Sequence, residues 1–391
     1  MQKEDEILLA IKNGYVKTVT NGDIKNCTIL CEKNKIVAIG QNIDIPENAT
    51  VIDATNLIVT PGLVDAHSHV GAWEEGLGWE GYDINEMTNP ITPGLRIIDA
   101  VNPMDIGFWD ARRGGVTSVQ TMPGSGNVIG GLMIAMKTAG TVVDEMVLKA
   151  PTGMKSALGE NPKRFYGTKG KMPSTRMGSA ALLRETLHKA KIYNENLTNN
   201  EKQDYDYEMD ALAMVIRKEI PLRVHCHRAD DILTAIRISK EFNIDVTLEH
   251  CTEGHKVADV IAENDIWANV GPSIWQRAKV ETKDISPKTP AVIVEAGGKV
   301  TLITDHNIIP QHYYRLAAGL ASREGLAIDE AWKAITINPA TVIGIDDRVG
   351  SLELNKDADI AIWSGDPFEP LTHCLYTIID GKIVYTREEV K

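Results

Sequence analysis

Between residues 61 and 346 the chain alternates short apolar stretches with amphipathic ones, and this alternation constrains the fold more than any other feature. Leu63–His67, Val116–Thr121, Met146–Ala150, Gly153–Ala157, Leu222–His227, Asp245–His250, Ile266–Val270 and Val300–Thr304 read as strands. Between them, Ser179–Tyr193, Met209–Glu219, Asp230–Phe242 and Ile328–Ile337 carry apolar residues at helical spacing. Strands that alternate with helices over this length predict an α/β fold with a parallel sheet, and eight strands suit a (β/α)8 TIM-like barrel. The ends differ from the middle. Residues 1–60 and 347–391 are rich in Val, Ile and Thr, with turns at Asn13-Gly14, Asn21-Gly22 and Asp380-Gly381. We read them as one small β-sandwich domain built discontinuously from both termini, with a barrel domain over 61–346.

Composition narrows the functional classes. At 43% hydrophobic and 24% charged residues, the chain has enough apolar matter for a packed core and is neither disordered nor a coiled coil. Its net charge of −13 disfavours nucleic acid and anionic membrane as partners. No apolar run is long enough to span a bilayer, and no basic-then-apolar leader opens the sequence. Five cysteines, an odd number in a long chain, are not a disulfide framework, and a cytoplasmic, reducing location is expected.

The histidines fall where a barrel would use them. His67 and His69 end the first strand, His225 and His227 the fifth, His250 the sixth, and Asp305 the eighth. Residues two apart on a strand share a face, so both members of each His-x-His pair can point inward. A barrel enzyme keeps its active site at the C-terminal ends of its strands. Imidazole and carboxylate there are the ligands a divalent cation takes. One histidine at a strand end is ordinarily a solvated or core residue; the repetition over four strands is what points to a metal.

The motifs VTPGLVDAHSH, EH at 249–250, TDH at 304–306, ITINPA at 335–340 and VGSLELNKDADIAIWSGDP resemble the amidohydrolase superfamily of metal-dependent hydrolases, nearest its imidazolonepropionase-like and prolidase-like branch. The resemblance covers nearly the whole chain. It implies His67, His69, His225, His250 and Asp305 as ligands of one or two divalent ions, zinc first, with manganese, iron(II) or nickel as alternatives. It implies a further bridging ligand, either Glu160 or a carboxylated Lys155, both in APTGMKSALGENPKRFYG. It implies hydrolysis of a C–N bond in a cyclic amide or an N-substituted amino-acid derivative, by water activated at the cation. Asp305 takes the proton and returns it to the leaving nitrogen. The alternatives are an Xaa-Pro-type dipeptidase and a catalytically silent scaffold with the same fold. Partners are then a small-molecule substrate and, by resemblance alone, a second copy in a homo-oligomer.

Other residues of the pockets are read with two faces. Many deaminases of the superfamily carry a glutamate three residues after the fifth-strand histidine; position 228 is arginine here, which disfavours ring deamination. Arg228 suits a substrate carboxylate, or pairs with Asp230 or Asp231. His227 and His306 are candidates for substrate contact, and His255 for a helix turn. Residues 161–178, with five cations, read as a loop over the barrel mouth, where Tyr166 and Arg176 meet substrate or solvent; the aromatic stretch Trp73–Tyr82 is a second candidate wall. The glycine-rich PGSGNVIGG at 123–131 lacks dinucleotide-binding spacing and reads as a strand-to-helix loop.

Overall fold

The computed structural model describes residues 8–388. The N-terminal part forms β1 (Leu8–Lys17), β2 (Asp23–Glu32), β3 (Lys35–Gly40), β4 (Thr50–Asp53) and β5 (Ile58–Pro61). The middle forms β6 (Leu63–Ser68), β7 (Val116–Thr121), β8 (Ile129–Leu132), β9 (Ile134–Lys137), β10 (Val147–Lys149), β11 (Met154–Ala157), β12 (Leu222–Cys226), β13 (Val246–His250), β14 (Trp267–Val270) and β15 (Lys299–Leu302). The C-terminal part adds β16 (Ile360–Trp363), β17 (Cys374–Ile379) and β18 (Lys382–Thr386).

Strands from both ends share one sheet, in the order β18-β17-β16-β5-β1-β2-β3, with β4 beside β1. The join is β5 against β16, antiparallel, Ile360 opposite Pro61 and Trp363 opposite Ile58. A separate apolar core, including Ile11, Val16, Ile29, Ile36, Val59, Ile360 and Ile378, packs within it. Hydrogen bonding links all eight strands into one continuous sheet.

The middle pairs as two sheets, β10-β9-β7-β6 and β15-β14-β13-β12-β11-β8. Neighbours from β11 through β15 are parallel, as are β6 and β7. These strands are buried along their whole length, because helices cover the outer face as well. The helix Ala229–Phe242 does so with Ile232, Ala235 and Ile236, and stops at Asn243, whose left-handed φ of 52° ends the helical pattern. Two junctions connect the sheets. On one side only Met133 separates β8 from β9, so the chain itself crosses over. On the other, Asp305 N–H donates to the His67 carbonyl (3.1 Å) and His69 N–H to the His306 carbonyl (3.0 Å).

The expected eight parallel strands differ from this in one place. Met146–Ala150 forms β10, which pairs only with β9, at an edge. The place between β7 and β11 belongs to β8 and β9, both antiparallel to their neighbours. Part of the glycine-rich run read as a loop is therefore a strand. Gly131 explains it: its φ is +126°, and a Cβ there would stand 2.5 Å from the Leu95 carbonyl oxygen, so only glycine lets the backbone lie that close. The predicted helix Ile328–Ile337 is two helices, Ile328–Lys333 and Ile337–Ile343. The predicted loop 161–178 is a helix, Glu160–Gly167, a short connection, and the start of the long helix Arg176–Thr198. Among the described residues no helix is long and apolar enough to cross a membrane, and the five cysteines are free and buried.

Candidate metal centre

Four strand ends deliver imidazoles and a carboxylate to one point. His67 is the penultimate residue of β6 and His69 follows the strand; His225 lies in β12 and His227 follows it. His250 closes β13 with φ +76°, and Asp305 lies three residues past β15 with φ +52°. Both are non-glycine residues in the left-handed region, a conformation that costs on the order of 1–3 kcal/mol and is retained where a site demands it. His250 sits between the two pairs, its ring centroid 4.7 Å from His67, 4.4 Å from His225 and 4.5 Å from His227. The ligand atoms of His225, His227 and His250 lie within 4.8 Å of one another, as do those of His67, His250 and Asp305. His69 joins through its Nε2, 3.2 Å from Asp305 Oδ1.

The rings are aimed by their far nitrogens. His67 Nδ1 donates to Glu249 Oε2 (2.7 Å), His69 Nδ1 to the Met122 carbonyl (2.8 Å) and His250 Nδ1 to the Gly271 carbonyl (2.9 Å). His227 Nδ1 meets Thr252 Oγ1 at 2.8 Å. Carbonyls and carboxylates only accept, so the proton resides on Nδ1 and the Nε2 lone pair is left for a cation. Burial pushes His69, His225 and His250 below the ordinary imidazole range and His227 down to about 3, which keeps the rings neutral. Burial acts to raise Asp305, but the imidazoles around it, His250 first, hold its carboxyl well below the ordinary range. Asp305 is also the open member: its side chain is 19% exposed, against 0% for His67 and 5% for His69.

Of the two candidates for the bridging ligand, the structure brings in Lys155. It lies in β11, fully buried, with Nζ 3.3 Å from His67 Nε2 and no ion pair to a carboxylate among the described residues. Burial pushes its amine down to about 8. Glu160 is instead the first residue of the following helix, outside both ligand groups. Arg228 is turned away as well: its guanidinium makes two hydrogen bonds to Asp230 (2.9 and 3.0 Å) on a partly exposed helix start. His306, next in sequence to Asp305, is directed elsewhere, its Nε2 3.6 Å from Glu75 Oε1 beside Gly107. Arg176 pairs with Asp231 (3.0 Å), and Tyr166 is buried with its hydroxyl on the Asn89 carbonyl (2.9 Å). His255 stands in a short 3-10 turn, hydrogen-bonded to Thr289 (3.1 Å). Trp73 does wall the site, its ring 6.5 Å from His69 and packed edge-on against Tyr82.

The donor set fits a divalent cation. Both ring nitrogens of His225 and Glu281 Oε1 are buried without any hydrogen-bond partner, a state that costs about 1–3 kcal/mol per group unless something charged satisfies it.

The sequence profile described as the Amidohydrolase family matches residues 58–384. The chain belongs to the amidohydrolase family. A solved amidohydrolase from Thermotoga maritima MSB8 is 40% identical, with a TM-score of 0.93, over 97% of this chain and 100% of that one. Amidohydrolase tasK of Hapsidospora irregularis is 28% identical over 387 residues, 90% of this chain and 39% of that protein, so the chain spans well under half of this relative. A dihydroorotase of Ruminiclostridium cellulolyticum is 25% identical over 406 residues, covering 91% of this chain and 88% of that one. The resemblance read from the motifs is thus confirmed as family membership.

Two acidic residues of this amidohydrolase are given no role by the motif reading, although Glu249 stands in the EH motif at 249–250. Glu249, fully buried, receives Arg223 Nε (3.0 Å), Asn269 Nδ2 (2.7 Å) and Thr247 Oγ1 (2.7 Å) as well as His67. Glu249 pairs with His225 on β12 and Asn269 on β14, and residues paired across a sheet share a face, so it points into the interior with His225, while His250 at the strand end leaves that alternation through its left-handed φ. Glu281, in the turn Val280–Thr282, had no signal at all.

Proposed function

We propose that this protein is a metal-dependent hydrolase that cleaves a C–N bond in a cyclic amide or an N-substituted amino-acid derivative. The observation that carries the reading is the convergence of His67 and His250 on Asp305, and of His225, His227 and His250 on one another, with both ring nitrogens of His225 left unpaired in the interior. His67, His69 and Asp305 would hold one divalent ion, and His225 and His250 a second, with Lys155, as its carboxylated form, between them. Zinc is the first candidate for this nitrogen-rich set. When bound, such an ion supplies a Lewis acid and lowers the pKa of water from about 16 to about 7. Asp305, ionised and open to the mouth, accepts the water's proton and later hands it to the departing nitrogen. The Nε2 atoms of His67 and His69 stand 3.4 and 3.2 Å from Asp305 Oδ1, acceptors facing an acceptor, an arrangement that a shared cation would satisfy. Trp73 and Tyr82 give the substrate an aromatic wall. In the same reading β6–β9 with β11–β15 close into one distorted (β/α)8 barrel over 61–346, and the terminal sheet is a separate small β-domain.

The test is elemental analysis of protein purified without chelators, followed by a turnover screen with hydantoin- and imidazolone-type rings, N-acyl amino acids and Xaa-Pro dipeptides. About one or more divalent ions per chain is expected, with turnover of rings or N-acyl compounds. Turnover of dipeptides alone would replace the substrate class, and a metal-free, inactive protein would make the chain a scaffold.

A further inference from the structure

Glu281 is 1% exposed in its side chain, yet only half of its carboxylate is used. Oε2 accepts the Glu160 backbone N–H at 2.9 Å. Oε1 has no hydrogen-bond partner. It stands 3.6 Å from His225 Nε2, 3.9 Å from His227 Nε2 and 3.7 Å from Lys279 Nζ. Lys279 is itself occupied by Asn161 Oδ1 at 3.0 Å. These gaps to the imidazoles are too long for hydrogen bonds. They are near the spacing of two ligands on one cation, because donor atoms about 2.0–2.2 Å from zinc in a tetrahedral set stand about 3.3–3.6 Å apart. His227 is equipped for the same task, since Thr252 anchors its Nδ1 and its Nε2 faces the gap.

We propose that Glu281 and His227 are themselves metal ligands, so that the second cation position is a set of four: His225, His227, His250 and Glu281. The inference rests on the metal-dependent reading above and goes beyond it, since that reading gave this ion only His225, His250 and the bridging Lys155. Three neutral imidazoles and one carboxylate, with the bridging Lys155 of that reading beside them, leave a zinc-like ion no position for water, and sites filled by protein hold their metal rather than offering it to water. The second ion is then tightly kept, and water activation belongs to the position at Asp305.

The experiment strips the full-length protein of metal, titrates zinc back against a competing chelator, and compares wild type with Glu281→Gln, Glu281→Asp and His227→Asn, with circular dichroism to check folding. Two zinc ions per wild-type chain are expected. Glu281→Gln and His227→Asn should each weaken one of them by about tenfold or more and leave the other unchanged, with Glu281→Asp in between. Folded variants that bind both ions as wild type does overturn the inference. Anomalous diffraction from zinc-loaded wild type needs no variant: a peak within bonding distance of both Glu281 Oε1 and His227 Nε2 supports the set of four, and zinc bound elsewhere only overturns it. A wild-type chain that takes up no zinc at all overturns the metal-dependent reading itself.

Discussion

Asp305 turns out of β15 in a left-handed conformation, and that turn gives its carboxylate both His neighbours and an opening to the mouth. Asp305→Asn should therefore leave the circular dichroism spectrum unchanged and lower kcat by about 10²-fold or more; an unaltered kcat would remove Asp305 as proton carrier. Lys155 is a buried amine facing His67 without a counter-ion. Its carboxylation joins the amine nitrogen to the carbon of CO2 and releases a proton. Reconstitution in bicarbonate should raise the metal bound per chain in wild type and do nothing for Lys155→Met; equal uptake by both would exclude the bridge. Asp231 gives a pH prediction. Burial, opposed by Arg176, pushes its carboxyl up to about 6, above an unfolded value of about 3.9. The native state then binds more protons between about pH 4 and 6, so this group's contribution to stability declines as pH rises through that window. Denaturant unfolding at the two ends should show that decline, of roughly 2–3 kcal/mol, in wild type and not in Asp231→Asn.

At the scale of elements, β8 and β9 show how a local pattern can mislead. Pro123, Gly124, Gly126, Gly130 and Gly131 have the composition of a connection. Two of these glycines nevertheless lie in a strand, because β8 must pass beside the Leu95 carbonyl and pair with β11, Gly131 opposite Lys155. The strand thus backs the residue that faces the metal centre. Gly131→Ala should cost about 1–3 kcal/mol in denaturant unfolding through its positive φ and the clash, and a neutral result would mean that β8 is free to shift. The parallel strands were legible for a different reason: Val116–Thr121 and Leu222–Cys226 are rich in β-branched and apolar residues and buried on both faces, between stretches of helical spacing.

For the whole molecule, the terminal sheet is tied to the middle by one buried cation. Lys137, at the end of β9, places Nζ 2.6 Å from Asp359, 3.0 Å from Asp357 and 3.5 Å from Asp380. No spacing in the sequence announces this, since the partners are more than two hundred residues away. Lys137→Met would leave three carboxylates facing one another, and a loss of about 3–5 kcal/mol in unfolding free energy is expected. Stability within about 1 kcal/mol of wild type would show the cluster to be solvated instead.

Strand polarity and side-chain alternation are local properties, which is why His67, His69, His225, His227, His250 and Asp305 could be placed together from the chain's own order of residues. Which nitrogen each ring offers, and whether Lys155 or Glu160 reaches the centre, depended on partners brought from distant segments: Glu249 and Arg223 behind His67, Gly271 behind His250, Glu281 across from His225. Hydrogen bonds and charges act through space over a few ångströms. Only the folded arrangement decides which groups lie within that reach.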